Sequence, residues 1–379
     1  MAAYTVLAGA DFGAGLWTLL ARPGRAPAEE TRDHARHAMG PVWEANHVWL
    51  IFVLVVCWTA YPVAFGSITS TLAAPLLIAA IGIIFRGSAY ALRGLATGKS
   101  GSAELLFALS SILTPFALGT VIGAIALGRV PVGNAKGDPI GSWLSAGPVL
   151  IGVLAVAFSG YLAAVYLAAD AVRLGEQTLA KDFRDRALVS GVVAGGLAIA
   201  GLIELRSLPL THGLALAMVI VSGCGGLATV VLVWIWRFEA ARLTAAVAVA
   251  AVVIGWAAAQ APRFLPGMTV TQAAAGRSTL IALLIAVAVG LIVLIPSLIL
   301  LYTLFLRGKL AEPDTAELPA EDPVSEPVKH RSTKTGGLAV ATLVAGAVLV
   351  VFAGSVWLQV LGVACLVVCA VSAFGVAVE

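Results

Sequence analysis

The chain has 379 residues, 60% of them hydrophobic and only 11% charged. Soluble domains carry about 25% charged residues, so a soluble globular protein is excluded, and a net charge of +3 is too small to point to a nucleic-acid partner. Hydrophobic runs of about 20 residues recur, each long enough to cross a bilayer; a β-barrel would instead show alternating segments of about ten.

The fold class is therefore all-α and polytopic. Spans are predicted near 1–21, 46–65, 68–95, 104–128, 143–172, 187–205, 212–236, 241–261 and 278–306. Two shorter ones follow at 338–354 and 357–377, divided only by Gly354-Ser355, which gives eleven in all. The N-terminus carries neither a positively charged leader nor a cleavage motif, so no removable signal peptide is expected. Asp11 falls at the middle of the first span among Gly9, Gly13 and Gly15. Either that helix is short or its true start lies upstream of Met1.

Cytoplasmic loops carry an excess of Lys and Arg. Loops after odd-numbered spans hold 17 of these residues and loops after even-numbered spans hold five. This bias puts the N-terminus outside and the first loop in the cytoplasm. Residues 309–336, rich in Glu, Asp, Pro, Ser and Thr, read as a disordered cytoplasmic linker. The chain thus divides into a membrane domain over 1–308, the linker 309–336, and a separable membrane appendage over 337–379.

Against this aliphatic background, four ionisable residues stand out at lipid depth: Asp11, Glu44, His47 and Arg86. A charge at the bilayer centre costs about 2.5–3.5 kcal/mol on insertion scales. Glu44 and His47 are three apart and share a helix face. They lie in Gly40-Pro41-Val42-Trp43-Glu44-Ala45-Asn46-His47-Val48-Trp49-Leu50, where Pro41 suits a first helical turn. A Glu beside a His, which titrates near neutrality, can pass protons at a helix mouth. The competing reading is a polar helix start at the headgroups, with Trp43 and Trp49 as belt aromatics. Arg86, Tyr90 and Arg93 form one stripe at i, i+4, i+7. Arg93 can snorkel to the interface, whereas Arg86 lies deeper and needs an acid, either Asp11 or Glu44. A structural ion pair fixing helix packing is the alternative there.

The four cysteines, Cys57, Cys224, Cys365 and Cys369, lie in apolar runs without a CxxC pair and read as small buried hydrophobes. Haem needs an axial His, Met or Cys. His47 is the one histidine at lipid depth, His212 sits at an outer helix start, and no two histidines fall on facing helices. The chain is poorly equipped to ligate haem iron, and no metal site is expected.

The segments Gly9–Gly15, Gly40–Leu50 and Phe85–Arg93, with weaker likeness at Ser159-Gly160-Tyr161 and Pro296–Tyr302, resemble subunit II of the cytochrome bd quinol oxidases. The likeness covers residues 1–308 and is strongest to the branch whose motif reads Trp-Glu-Ala-Asn-His. It implies about nine helices in two four-helix bundles plus a peripheral helix. It also implies a heterodimer with a subunit I that carries the quinol site, two b-type haems and haem d. Subunit II would support that partner in the bacterial plasma membrane, help deliver cytoplasmic protons for O2 reduction, and so contribute to an electrogenic, proton-motive reaction. On this reading no catalytic residue lies in this chain. Glu44 matches the acid of the proton route, with His47 beside it; Asp11, Asn46, Arg86 and Tyr90 form a buried polar network; Trp43, Trp49 and Arg93 are interface anchors. Relative to the family the first helix looks truncated. The appendage lies beyond its usual end, a candidate site for a small accessory subunit, lipid or a quinone tail. A secondary transporter binding substrate through Asp11, Glu44 and Arg86 is the outside alternative, disfavoured because these charges have no counterpart in the second half. A purely structural oxidase subunit is the third.

Overall fold

A computed structural model describes residues 1–21, 27–38, 40–91 and 101–306; all belong to the first of two units into which the chain divides, Met1–Ala311. The expected linker and appendage lie outside the described residues, as does Arg93. The described chain is helical almost throughout, as its apolar runs require. The helices are α1 (Ala2–Leu19), α2 (Ala28–Ala38), α3 (Gly40–Ala60), α4 (Pro62–Thr71), α5 (Ala73–Ala91), α6 (Gly101–Ala126), α7 (Ala146–Arg173), α8 (Gln177–Glu204), α9 (Gly213–Trp234) and α10 (Phe238–Gln260). A two-stranded hairpin, β1 (Arg263–Leu265) and β2 (Met268–Thr269), then leads through α11 (Val270–Ala273) into α12 (Arg277–Leu306).

Six of these helices are long and apolar enough to cross a membrane alone, and a seventh span results if α3 and α4 are joined across their bend. Two of the expected spans are redrawn. The spans predicted at 46–65 and 68–95 become α3, α4 and α5, because Tyr61 precedes Pro62 and takes φ −137° and ψ 56°, outside the helical region that a following proline disfavours. The axis turns by 117° there. Among the described residues the apolar part of α5 covers Ala73–Ser88, with the buried Arg86 inside it.

Small residues set the packing. α7 is the central element, in contact with α1, α6, α8 and α10. Along α1, a Cβ on Gly13 would come within 1.8 Å of the Ser159 carbonyl oxygen, and one on Gly9 within 2.8 Å of the Leu162 side chain. These glycines let α1 seat directly on the α7 backbone, and the Trp17 indole then donates to the Gly160 carbonyl at 2.8 Å. Gly119 and Gly123 of α6 meet Gly152 and Pro148 of α7 in the same manner. By contrast α12 contacts α3, and none of its spanning window is buried.

The two ends of the helices differ. At one end α4 is clasped by the α6–α7 loop: Gly133 N donates to Ser67 Oγ at 2.9 Å and Ala135 N to Ser70 Oγ at 2.8 Å. Tyr61 stacks on Phe264 of β1, with ring centroids 5.0 Å apart. The β1–β2 turn is Pro266-Gly267 with Gly267 at φ +79°, the left-handed position glycine accepts. At the other end α2, not anticipated from the sequence, lies against α7. Its His34 Nε2 donates to the Leu167 carbonyl at 3.0 Å, and Arg32 Nε to the Thr18 carbonyl at 3.5 Å. Two glutamates in the first turn of α2 suit its positive dipole end. α8 also begins about ten residues before the predicted 187, since its charged first turns are held as a helix by the Asp182–Arg186 pair at 2.7 Å.

Candidate functional site

The site grows from α1. Asp11 is fully buried and Arg86 of α5 is 1% exposed. Neither charge could stay there alone, since desolvating an unpaired ion costs several kcal/mol. Arg86 Nε donates to Asp11 Oδ2 at 2.8 Å and Nη2 to Oδ1 at 2.6 Å. This two-pronged match of guanidinium to carboxylate is the geometry in which Arg and not Lys is favoured. Nη2 also donates to the Asp11 backbone carbonyl, and Nη1 to Ser111 Oγ of α6 at 2.6 Å. The Arg86 guanidinium carbon lies 5.1 Å from the Phe12 ring centroid, within cation–π range. Three helices thus converge on one cation.

Gly15 makes room for it. A Cβ there would fall 1.9 Å from Ser111 Oγ and 2.9 Å from Arg86 Nη1. The glycines of α1 therefore have divided tasks: Gly9 and Gly13 admit α7, and Gly15 admits the guanidinium.

α3 supplies the second half of the site. Asn46 is buried and its Oδ1 finds no hydrogen-bond partner among the described residues; Tyr4 Oη of α1 is likewise buried and without a partner among them. Both residues line one small void with Phe12, His47, Leu50, Ile83 and Arg86. Its volume is about 10 Å³, close to the least that holds one water.

Of the residues picked out by sequence, Asp11, Asn46, His47 and Arg86 are brought together here. Glu44 stands on α3 one turn before His47, and Trp43 on the same first turns; Tyr90 follows Arg86 by one turn on α5. The side chains of Trp43, Glu44 and Tyr90 lie outside the described ones. Trp49, half-buried, meets Phe52 edge-on with centroids 6.1 Å apart. It stands roughly 13 Å along α3 from Gly40, taking 1.5 Å per residue. His212 is exposed, beside Thr211 Oγ1 at 3.0 Å. The sequence reading missed Ser111, Phe12 and Tyr4. Ser111 had a signal, because Ser110, Ser111 and Thr114 recur on one side of an apolar span and all three are buried. Tyr4 had one too, seven residues before Asp11 and so on the same face.

The void beside the His47 ring, about 10 Å³, has room for one water and not for a haem macrocycle. Among the described residues no group of three or more His, Cys, Asp or Glu could hold a metal.

Residues 1–305 match the family model described as cytochrome bd terminal oxidase subunit II. The chain belongs to that family. Its fold also resembles a chain in the structure of bd oxidase from Geobacillus thermodenitrificans, at 25% identity and a TM-score of 0.59, over 80% of this chain and 94% of that one. No curated protein matches the chain. As a member of the bd subunit II family the chain is a multi-pass membrane protein of an oxidoreductase complex, and its polar site lies in the N-terminal helices that the family model covers.

Proposed function

We propose that this chain is the haem-free subunit II of a cytochrome bd-type quinol oxidase. It supports a subunit I that holds quinol, the b-type haems and haem d, and helps bring cytoplasmic protons to the site of O2 reduction. The observation that carries the proton role is the polar site itself: His47 and Asn46 of α3 face Arg86, Tyr4 and Phe12 across a void one water wide, with the buried Asp11–Arg86 pair behind them.

The parts divide as follows. Glu44 takes protons at the start of α3, and His47, one turn on, passes them inward. Asp11 and Arg86, locked by two parallel hydrogen bonds, exchange no proton; they fix α1, α5 and α6 around the route and hold a permanent charge pair next to it. Trp43, Trp49 and Arg93 anchor the surrounding helices at the membrane boundary. The excess of Lys and Arg at one set of loops supports a cytoplasmic first loop and an external N-terminus in a bacterial plasma membrane. The two four-helix bundles are carried over from the family; α12, in contact with α3 and with none of its spanning window buried, supports the place of the peripheral helix. The linker 309–336 and the appendage 337–379 complete the domain plan, the latter as a docking element for an accessory subunit, lipid or quinone.

The test is co-expression with a subunit I. Glu44→Gln is expected to slow quinol-driven O2 consumption while haem content and complex yield stay normal. Unchanged turnover would remove the proton role and leave a second reading, a purely structural subunit, which the fully buried Asp11–Arg86 pair by itself also fits.

A further inference from the structure

Tyr4 and Asn46 each bury a polar atom without a partner among the described residues. A buried unpaired polar atom costs about as much as a lost hydrogen bond, and native proteins keep few of them. Here two such atoms, from different helices, belong to residues that line the same void, together with an imidazole and a guanidinium. The remaining lining residues, Phe12, Leu50 and Ile83, are apolar and offer no competing partner. A site needs roughly 10–15 Å³ and two to four polar partners to hold a water. This one, at about 10 Å³, meets both conditions. Asn46 offers an acceptor, Tyr4 a hydroxyl that both donates and accepts, and His47 a ring nitrogen.

We infer that Tyr4, Asn46 and His47 enclose a binding site for a single water, and that Tyr4 is the residue that positions it. The inference rests on the proton-delivery reading above and adds to it the carrier beyond His47. A water held between these residues takes one proton from the imidazole side as it gives another to the Tyr4 hydroxyl oxygen, whose own proton moves on, so the site passes charge without storing it. The Arg86 guanidinium on the adjoining wall is compensated by Asp11, so the pair adds no net charge to the site and its resting occupant is a neutral water.

The experiment uses the assembled complex with its subunit I. Tyr4→Phe removes the hydroxyl and keeps the ring. Leu50→Phe fills the void and touches neither hydroxyl nor amide. In the wild-type complex, a cryo-electron-microscopy map fine enough to show ordered water should place one within hydrogen-bond distance of Tyr4 Oη and Asn46 Oδ1. Each variant should lose it. With haem content unchanged, turnover should fall about fivefold in each, the rate equivalent of one hydrogen bond, and the solvent isotope effect in D2O should rise. A map without that water, or either variant at the wild-type rate and isotope effect, overturns the site. If Tyr4→Phe fails to assemble, Leu50→Phe decides alone. Glu44→Gln run beside them separates the readings: a slow Glu44→Gln with normal Tyr4→Phe and Leu50→Phe sinks only the water site, whereas a normal Glu44→Gln sinks the proton role on which it rests.

Discussion

The helices α1, α3, α5 and α6 and the helices α7 to α10 use the same means of close approach and treat charge in opposite ways. In the first set a carboxylate and a guanidinium meet at depth, with hydrogen bonds of 2.6–2.8 Å between their side chains. In the second, charges stay near helix ends in local pairs, Asp170–Arg173 at 2.6 Å and Glu239–Arg242 at 3.6 Å. Its interior polar contact is a neutral one, Thr229 Oγ1 to Thr244 Oγ1 at 2.7 Å. Pairs at helix ends keep access to water and contribute little; a pair at depth is retained only if complete. The lesson is that the first set is costly to alter and the second tolerant.

The largest expected effect follows from splitting the deep pair. Arg86→Leu leaves Asp11 buried and uncompensated, which costs about 3–5 kcal/mol, and should appear as lost yield or a strongly lowered melting temperature of the purified protein. Adding Asp11→Leu should restore part of that loss, since paired residues are not additive. A double variant worse than the sum of both singles would break the comparison.

Next comes close packing. Gly13→Ala drives a methyl into the Ser159 carbonyl at 1.8 Å and should cost about 1–3 kcal/mol through overpacking. Gly195 of α8 has nothing within 4 Å of its added Cβ. Gly195→Ala should be neutral or stabilising by about 0.4–1 kcal/mol through the unfolded chain. Parallel melting curves of the two alanine variants check the contrast.

A smaller effect is expected in the second set from Thr229→Val, which removes one side of the hydroxyl pair. Interhelical hydrogen bonds in membranes average about 0.6 kcal/mol. A loss several times larger would mean that α9 and α10 depend on that pair as heavily as α1 and α5 depend on theirs.

The smallest concerns Asp138 in the α6–α7 loop. Its carboxyl accepts from Gly141 N at 3.0 Å and Ile140 N at 2.9 Å, and these bonds hold it below the usual carboxylate range. With the folded group the stronger acid, the turn is supported above the unfolded carboxylate's range and loosens as pH falls through the folded value. Amide exchange at Ile140 and Gly141 should quicken in acid relative to the rest of the loop, and Asp138→Asn should remove that pH dependence. Protection that did not change in acid would show that the turn stands without its carboxylate.

Much of this organisation was legible in the sequence, though unevenly. The apolar runs gave α6, α7, α9, α10 and α12 nearly to their ends, because hydrophobicity and length decide a span locally. They failed at Pro62, where a proline inside one apolar stretch breaks the axis, and at α2 and the start of α8, where charged helices read as loops. The Pro-Gly turn of the hairpin carried a signal that the apolar runs around it masked. For the site, Asp11, Glu44, His47 and Arg86 stood out because charge in an aliphatic chain is rare. Between Asp11 and Glu44 as the partner of Arg86, the pattern was silent.

Composition and the hydropathy pattern by themselves determined that this is a polytopic helical membrane protein whose ionisable residues at lipid depth, Asp11, Glu44, His47 and Arg86, lie in or beside its first three predicted spans. Its motifs determined the family. Only the tertiary structure decided that Asp11 takes Arg86, that Ser111 completes the cation's contacts, and that Tyr4 shares a void with Asn46 and His47. The reason is physical: the period of a helix fixes which residues share a face, but which faces meet depends on where Gly9, Gly13 and Gly15 let other helices approach α1, and that is settled only when the helices pack.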